Sequence, residues 1–499
     1  MLLIHPPAAK ACEPPAGIAH LAGTLRAHGS VCTVFDANLE GLLFLIASAR
    51  PTGDAWSRRA CRNMAANLAA LRSPQLYASP ARYQRAVADL NHLIEIAGLR
   101  HNLVINLANY QDDNLSPLKS CDLLQSAEHP QNNIFFPWFS SRLPELLADK
   151  APSFIGFSLN YLSQALTTFA MIGYIKAQYP GLPVILGGGL LTSWMRNPAW
   201  TRPFAGLVDH LIAGRGELPL LALVQKKDQG HRRPDYNGLP REGYLAPGFI
   251  LPYAASSGCS WSRCSFCPET AEGNPYSAVS AETVLGDIHQ LAAETSPILL
   301  HFLDNAISPA LLRAMVEDSR NIPWYGFSRI TAALTDLDFC RGLRRSGCRM
   351  LKLGIESGDQ TVLDTMDKGI DLGMVSRALT ALKEAGIATY VYLLFGTPAE
   401  SLTEARKTME LVARHHTAIT FLNLAIFNMP ICSSEAAGLQ TDGVEEDLSL
   451  YTNFTHPRGW NRKEVRRFLD QEFRRHPLIA PILRNDPPLF TSNHAPFFC

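Results

Sequence analysis

Cys259, Cys264 and Cys267 fall within nine residues, in the run Gly-Cys-Ser-Trp-Ser-Arg-Cys-Ser-Phe-Cys. Each thiolate can hold one iron of a [4Fe–4S] cube, so three thiolates leave the fourth iron open to an outside ligand. An iron with an open position is a reaction centre rather than a structural staple. The C-x4-C-x2-C spacing lets one loop wrap one cluster. Two other readings stand beside it. A structural zinc would want a fourth Cys or His close by, and the loop offers none. Buried free thiols would be core filling, for which Gly258 before the run and Pro268 after it are poor flanks.

A chain of 499 residues is too long for one ordinary core, and two or three domains are expected. Its 45 basic residues cancel 45 acidic ones without a basic stripe, which argues against nucleic acid as the partner. Hydrophobic residues make up 47% of the chain, yet no uninterrupted apolar stretch reaches membrane-spanning length, so no transmembrane helix is expected. The opening Met-Leu-Leu-Ile-His-Pro-Pro has no positive region and breaks at prolines too early for a signal peptide, and a cytoplasmic protein is expected. Outside the triplet the cysteines are scattered and their total of 11 is odd, which fits reduced thiols rather than a disulfide framework.

The elements that must position the cysteines follow from periodicity. In the first half, Leu2–Ile4, Val31–Phe35, Phe154–Phe157, Pro183–Leu186 and Val208–Ala213 read as strands, with helical patterns over Pro15–His28 and Gln164–Gln178. Alternating strands and helices imply a parallel, doubly wound sheet, whose ligands bind beyond the carboxyl ends of the strands. Gly187-Gly188-Gly189 stands at such an end, where it can be a tight turn or a ligand loop. No G-x-G-x-x-G follows the first strand and no P-loop is present. Residues of about 41–150 are too many for a crossover and read as a helical insertion, with helices around Trp56–Leu71 and Pro80–Leu99.

From about residue 248 the alternation restarts. Strands are expected at Ile250–Ala255, Ile298–Leu303, Trp324–Ile330, Met350–Ile355, Ala388–Phe395 and Ile419–Ile426, with helices such as Thr361–Thr365 and Leu372–Ala385 between them. Six such units suit a partial barrel. Its strand-end loops would hold the three cysteines, Asp304, Asn305, Arg329, Glu356 and the Gly396 turn.

These residues carry a resemblance. The cysteine loop with Phe266 before its last Cys, Phe302–Ser308, Ser328-Arg329, Gly354-Ile355-Glu356-Ser357-Gly358 and Gly396-Thr397-Pro398-Ala399-Glu400 resemble the radical S-adenosylmethionine (SAM) enzymes. The domain before them is similar to the cobalamin-binding domain of one large branch of that family. The family most often places three residues between the first two cysteines, whereas here there are four. The resemblance implies an α/β fold: a doubly wound, Rossmann-like cobalamin-binding domain over 1–240 with the helical insertion, then a partial (β/α)6 barrel over 245–430, then a tail or helical extension over 431–499.

The resemblance also implies a [4Fe–4S] cluster on the three cysteines, SAM chelating the open iron, a 5′-deoxyadenosyl radical formed on cleavage of the sulfonium, and a low-potential electron donor of the flavodoxin or ferredoxin type. Carried over residue by residue, Phe266 would lie beside adenine, Asp304 and Asn305 near the SAM amino group, Arg329 near its carboxylate, Glu356 near the ribose or methionine part, and Gly396 within the SAM site. Those pairings are chemically sensible, since a carboxylate suits an ammonium and Arg suits a carboxylate. Cobalamin would be held by loops at Gly17, Ser158, Asn160, Gly187, Gly188, Gly189, Thr192, Gly214 and Glu217. The Asp-x-His-x-x-Gly pattern for a lower axial histidine is missing, so cobalamin without a protein histidine is implied, His5 and His20 being more naturally hydrogen-bonded bystanders.

The leading expectation is therefore a cobalamin-dependent radical SAM enzyme that methylates an unactivated carbon of a small-molecule, peptide or protein substrate. The alternatives are radical cyclisation, rearrangement or methylthiolation, and, from a different class, a metal-cluster redox sensor or scaffold. Methylthiolation would want further cysteines for a second cluster, and Cys12, Cys32, Cys61 and Cys121 are too scattered. In the tail, Asn461–Arg475 reads as a charged amphipathic helix and residues 490–499 as an aromatic-flanked polar patch. His494 could meet substrate there, but a packed tail covering the barrel is preferred.

Overall fold

The computed structural model describes residues 1–499 except 100, 229, 319, 444, 445 and 488–493. The chain divides into two compact units, one built on Met1–Ile250 and one built mainly on Leu251–Val444 and Tyr451–Asp486 with the C-terminal residues. Among the described residues no helix is long and apolar enough to cross a membrane.

In the first unit β1 (Leu2–His5) and β2 (Thr33–Asp36) are followed by the long insertion, which includes a small antiparallel pair, β3 (Leu103–Ile105) and β4 (Tyr110–Asp112). The sheet then resumes with β5 (Ile155–Ser158), β6 (Val184–Gly187) and β7 (His210–Ile212). The strands order as β2-β1-β5-β6-β7, and every recorded pairing among them is parallel. Leu2, Ile4, Ile155, Val184 and Leu186 are all fully buried, as expected of a sheet covered on both faces. The insertion differs from the expectation of a purely helical segment in that β-branched Val104 and Ile105 and aromatic Tyr110 close into the β3–β4 hairpin, where buried Ile105 packs against Gly98 of the helix Pro80–Leu99. The insertion also starts earlier, because the Asp36 carboxylate accepts from the Leu39 N–H and caps a helix over Ala37–Ser48 directly after β2.

The second unit holds a six-stranded sheet in the order β15-β14-β13-β12-β11-β8, sequential throughout, as a partial barrel requires. Its strands are β8 (Ile250–Tyr253), then, after a two-residue ribbon of β9 (Ser256–Ser257) and β10 (Ser277–Ala278), β11 (Leu299–Phe302), β12 (Trp324–Ser328), β13 (Cys348–Glu356), β14 (Ala388–Phe395) and β15 (Phe421–Ile426). The recorded pairings from β11 to β15 are parallel. The helices between them begin at side-chain caps, Ser280, Ser308, Asp336, Asp359, Asp371 and Ser401, each accepting from a first-turn N–H. Each cap fixes where a strand-end loop must stop, which limits the slack in the loops that carry the chemistry.

The segment after β15 packs back onto this unit. The helix Ala480–Arg484 lies on β15, and the Asp486 carboxylate accepts from the Leu422 N–H of that strand. His494 stacks on Tyr390 at 4.4 Å and meets Phe421 edge-on at 4.6 Å, so the C-terminal residues are a packed cover. Phe490, Thr491, Ser492 and Asn493 of the expected polar patch lie outside the described residues. The expected helix at Asn461–Arg475 is Arg462–Gln471, capped by Asn461 and continued by a single 3-10 turn.

Behind the Gly396 turn, whose φ of +81° favours glycine, the Glu400 carboxylate is completely buried. It accepts from the Gly396 N–H and from the Trp460 indole N–H at 2.9 Å. Burial pushes its carboxyl up from 4.5 to about 7 against those two hydrogen bonds. The folded protein therefore binds a proton here more readily than the unfolded chain, and stability falls as pH rises from about 4.5 through about 7. Against Glu400→Gln, the wild type should lose about 3 kcal/mol of relative stability across that window. Denaturant unfolding of both proteins at pH 5 and pH 8 checks this, and parallel pH profiles would remove Glu400 as the cause.

Candidate functional site

The cysteine loop leaves β8 at the carboxyl end of the barrel sheet and is closed at its base by the β9–β10 ribbon, which pairs Ser257 with Ser277 and Ser256 with Ala278. Gly258 opens the loop at φ +71°, where an added Cβ would stand 2.6 Å from the Pro275 carbonyl oxygen. Only glycine passes there. Cys264 is buried, and Cys259 and Cys267 are half-buried. Cys267 lies within electrostatic reach of both others. Burial pushes the Cys264 thiol up, with Lys368 and Arg329 opposing, and pushes the Cys267 thiol up, with the N–H groups of Thr270 and Glu269 opposing. Among the described residues no three Cys, His, Asp or Glu side chains stand close enough together to hold a metal ion. The three cysteines share one loop, and Cys264 stands beside two cations, Lys368 and Arg329, a setting whose chemistry suits an anionic cluster held by thiolates.

The far wall of the loop is the short helix Gln360–Thr365 and the turn after it. Its N–H groups fold back onto the helix: Met366 donates to Val362, Asp367 to Asp364 and Lys368 to Leu363. The carbonyls of Met366, Asp367 and Lys368 are thereby turned outward, and each takes one donor from the site. Ser265 N–H donates to Met366 at 3.1 Å, the Trp261 indole N–H to Asp367 at 2.8 Å, and the Arg329 guanidinium to Lys368. A second guanidinium nitrogen of Arg329 stands 4.0 Å from the Cys264 sulfur.

The other expected SAM residues converge on the same strand ends. Asp304 follows β11 and is almost fully buried, its carboxylate accepting from the Ala255 N–H at 3.0 Å and from the Ser256 hydroxyl. Burial pushes its carboxyl up, opposed by those hydrogen bonds. Its acceptors serve the base of the cysteine loop. Asn305 donates to the Gly258 carbonyl at 3.1 Å. Glu356 ends β13 at φ +67°, where the pairing with β14 slips by a residue, and its carboxylate pairs with Lys368 Nζ at 2.8 Å. Gly354 makes room for that pair, since a Cβ there would be 2.6 Å from Glu356 Oε1 and 2.9 Å from Lys368 Nζ. Lys368 also stands over the Phe266 ring at 5.4 Å.

Three features escaped the sequence reading. Trp261 and Lys368 carry no motif of their own, and their roles come from partners about a hundred and a dozen residues away. The third is the layer deeper in the barrel, where His301 stacks on Tyr325 at 4.3 Å, Lys352 Nζ lies 5.2 Å from the Tyr325 ring and 5.0 Å from Phe327, and Phe327 meets Tyr392 at 4.9 Å. A lysine between Leu351 and Leu353 in a buried strand is a signal that could have found it.

In the first unit, the expected cobalamin residues gather at the carboxyl ends of β5, β6 and β7. Asn160 Oδ1 accepts from the Gly189 N–H at 3.0 Å, and its amide donates to Ser158 Oγ at 3.1 Å. Gly188 has φ +109°, and a Cβ there would be 2.3 Å from the Leu159 carbonyl oxygen, so the turn needs glycine for the backbone itself. Thr192 donates to the Gly188 carbonyl at 2.8 Å and accepts from the Gly214 N–H at 2.9 Å, tying the ends of β6 and β7. A Cβ on exposed Gly214 would meet nothing within 4 Å, and one on Gly17 would stand 3.6 Å from Ser158 Oγ. Gly187 completes β6 beside Ile212. Glu217 accepts from His20 at 2.9 Å and from Arg215 at 2.8 Å, and despite burial its carboxyl is held down at about 2 by those partners. His5 is buried against Gln164 and burial lowers its ring to about 4. The result is an open, glycine-bordered edge that fits a large cofactor.

Residues 253–412 match the Radical SAM superfamily. The chain is 25% identical over 232 residues to an uncharacterized methyltransferase of Pyrococcus horikoshii, a match covering 42% of this chain and 50% of that protein. It is 23% identical over 280 residues to the anaerobic magnesium-protoporphyrin IX monomethyl ester cyclase of Rubrivivax gelatinosus, covering 46% of this chain and 49% of the cyclase. The chain thus spans about half the length of the curated relatives it matches. Its fold is shared with the radical SAM methyltransferase TsrM of Kitasatospora setae, solved with cobalamin and a [4Fe–4S] cluster, at TM-score 0.55 and 16% identity over 89% of this chain and 80% of TsrM. It is shared also with the cobalamin-dependent SAM radical enzyme OxsB at TM-score 0.51 and 14% identity, over 66% of this chain and 60% of OxsB. The match to the Radical SAM superfamily thus falls within the second unit, and the α/β fold is the one shared with TsrM and OxsB.

The Glu356–Lys368 pair gives a direct test of the site's construction, because the two side chains are only 12% and 9% exposed. Lys368→Met strands a buried carboxylate and should cost about 3 kcal/mol of unfolding free energy. Adding Glu356→Gln should recover part of that loss in urea unfolding of the full chain.

Proposed function

We propose that this chain is a cobalamin-dependent radical SAM methyltransferase, which transfers a methyl group from SAM to an unactivated carbon of a small-molecule or peptide substrate. The observation that carries this reading is the presence, in one chain, of the three-cysteine loop within a matched radical SAM domain and of the glycine-bordered edge in the sheet before it. The methyltransferase name of the Pyrococcus relative and the cobalamin bound by TsrM support it.

When bound, the cluster and SAM supply one-electron cleavage of a sulfonium carbon–sulfur bond, and cobalamin supplies a transferable methyl group. The protein's own contribution is positioning and charge. Cys259, Cys264 and Cys267 would hold the cluster, with Arg329 placing a positive charge beside Cys264. Arg329 suits the carboxylate of SAM, and Glu356, neutralised by Lys368, suits its hydroxyl groups. Asn305 spans the loop neck through Gly258, and Phe266 presents its backbone beside the last cysteine. Asp304 acts one step back from the ammonium, by fixing Ser256 and Ala255. At the first unit Gly17, Ser158, Asn160, Gly187–Gly189, Thr192, Gly214 and Glu217 would border cobalamin. His20 is engaged by Glu217 and His5 is buried, which supports a cobalamin held without a protein histidine. The electron would come from a flavodoxin- or ferredoxin-type donor.

A second reading, radical cyclisation without methyl transfer, is favoured by the name of the Rubrivivax relative. Methylthiolation is ranked below both, since Cys12, Cys32, Cys61 and Cys121 are scattered along the sequence with no motif for a second cluster.

Anaerobic reconstitution should load roughly four irons per chain, with the loss of most of that iron in a Cys259→Ala, Cys264→Ala, Cys267→Ala variant. Hydroxocobalamin should then bind the wild type and bind less to Gly214→Trp, whose side chain fills the open edge. Label from methyl-labelled SAM appearing in product supports methyl transfer. Iron loading with no cobalamin binding moves the assignment to the cyclisation reading, and zinc in place of iron overturns both.

A further inference from the structure

The cysteine loop has one residue more than the spacing most often met in proteins of its kind, and the extra length is taken up in a definite way. Between Cys259 and Cys264 lie Ser260, Trp261, Ser262 and Arg263, with Ser262 at φ +46° turning the chain back. That turn throws Trp261 outward onto the wall formed by the turn after the helix Gln360–Thr365. The indole N–H donates to the Asp367 carbonyl at 2.8 Å, and the ring lies so close over Gly369 that a Cβ there would be 2.1 Å from Trp261 Cζ2. Glycine is needed at 369 both for this contact and for its φ of +66°. On the ring sits the Arg329 guanidinium, 4.4 Å from the centroid, with Arg263 at 5.1 Å.

We propose that Trp261 is a positioning residue that aims Arg329 at the cluster and at the carboxylate of SAM; the inference rests on the radical SAM reading. Arg329 has three restraints: the indole face, the Lys368 carbonyl and the sulfur of Cys264. The carbonyl and sulfur engage two nitrogens of the fork, while the ring fixes the plane of the whole group, so a carboxylate can meet it in a set orientation. Without the ring the guanidinium keeps those two contacts but loses the surface that fixes its plane. Two quantities then change together. The carboxylate of SAM loses a pre-oriented partner, and the cluster loses a nearby positive charge that stabilises its more negative, reduced state.

The test uses the full chain, reconstituted anaerobically. Trp261→Ala should keep the wild-type iron content, bind SAM about tenfold more weakly by calorimetry and lower the reduction potential of the cluster in a redox titration followed by electron paramagnetic resonance. Trp261→Phe retains a ring but not the N–H, and should fall between the two. In an Arg329→Gln background, Trp261→Ala should add little to either loss, because the tryptophan acts through the arginine. Wild-type SAM affinity and potential in Trp261→Ala overturn the inference, as do losses that simply add in the double variant. If Trp261→Ala cannot take up iron, the Trp261→Phe comparison in both backgrounds decides by the same criteria. A wild-type chain that takes up neither iron nor SAM overturns the functional reading itself.

Discussion

Three neighbouring peptide carbonyls, those of Met366, Asp367 and Lys368, carry the arrangement of the cysteine loop. A helix leaves its last carbonyls without intrahelical partners, and its carboxyl end is electronegative. Here the chain satisfies its own N–H groups by folding back after Thr365, so those acceptors face the site. A backbone amide, an indole and a guanidinium fill them in order. The loop itself has little regular structure, and its shape is therefore borrowed from a helix end a hundred residues later. Any change that lengthened that helix by a turn would withdraw the acceptors and unseat all three donors at once.

The first unit uses a comparable economy with different groups. Its glycine turn is shaped by the Leu159 carbonyl, which leaves no space for a Cβ at Gly188, while Thr192 bridges two neighbouring strand ends by donating to one turn and accepting from the next. The polar side chains at this edge are thus spent on holding backbone in position. What they leave exposed is main chain and glycine, a surface suited to a broad planar group. The acidic partner at the rim, Glu217, is kept ionised by His20 and Arg215, and its charge is paired with the Arg215 guanidinium.

Much of this was legible in the sequence. Ala388–Phe395 and Pro80–Leu99 fall where periodicity puts them, and most other elements differ by one to three residues at their ends. Strand ends are set by pairing: Val31 drops out of the second strand because Thr33, not Val31, faces Leu2. The expected site residues stand at strand ends, as Arg329 after β12 and Glu356 at the end of β13 do. What stayed hidden depends on distant partners. Nothing near Lys368 announces Glu356, nothing near Gly369 announces an indole, and the short hairpin at Leu103–Asp112 has too few residues for an alternation to show within a helical region.

A partial barrel is an unfinished cylinder, and its last strand offers a row of backbone groups that a complete barrel would have consumed. β15 is that strand, and the helix Ala480–Arg484 with the Asp486 carboxylate on the Leu422 N–H occupies it. A carboxylate bound to an edge amide does what another strand would do, yet cannot propagate pairing to a further chain. The C-terminal segment thereby covers that edge, and a protein shortened before Ala480 would present it uncovered.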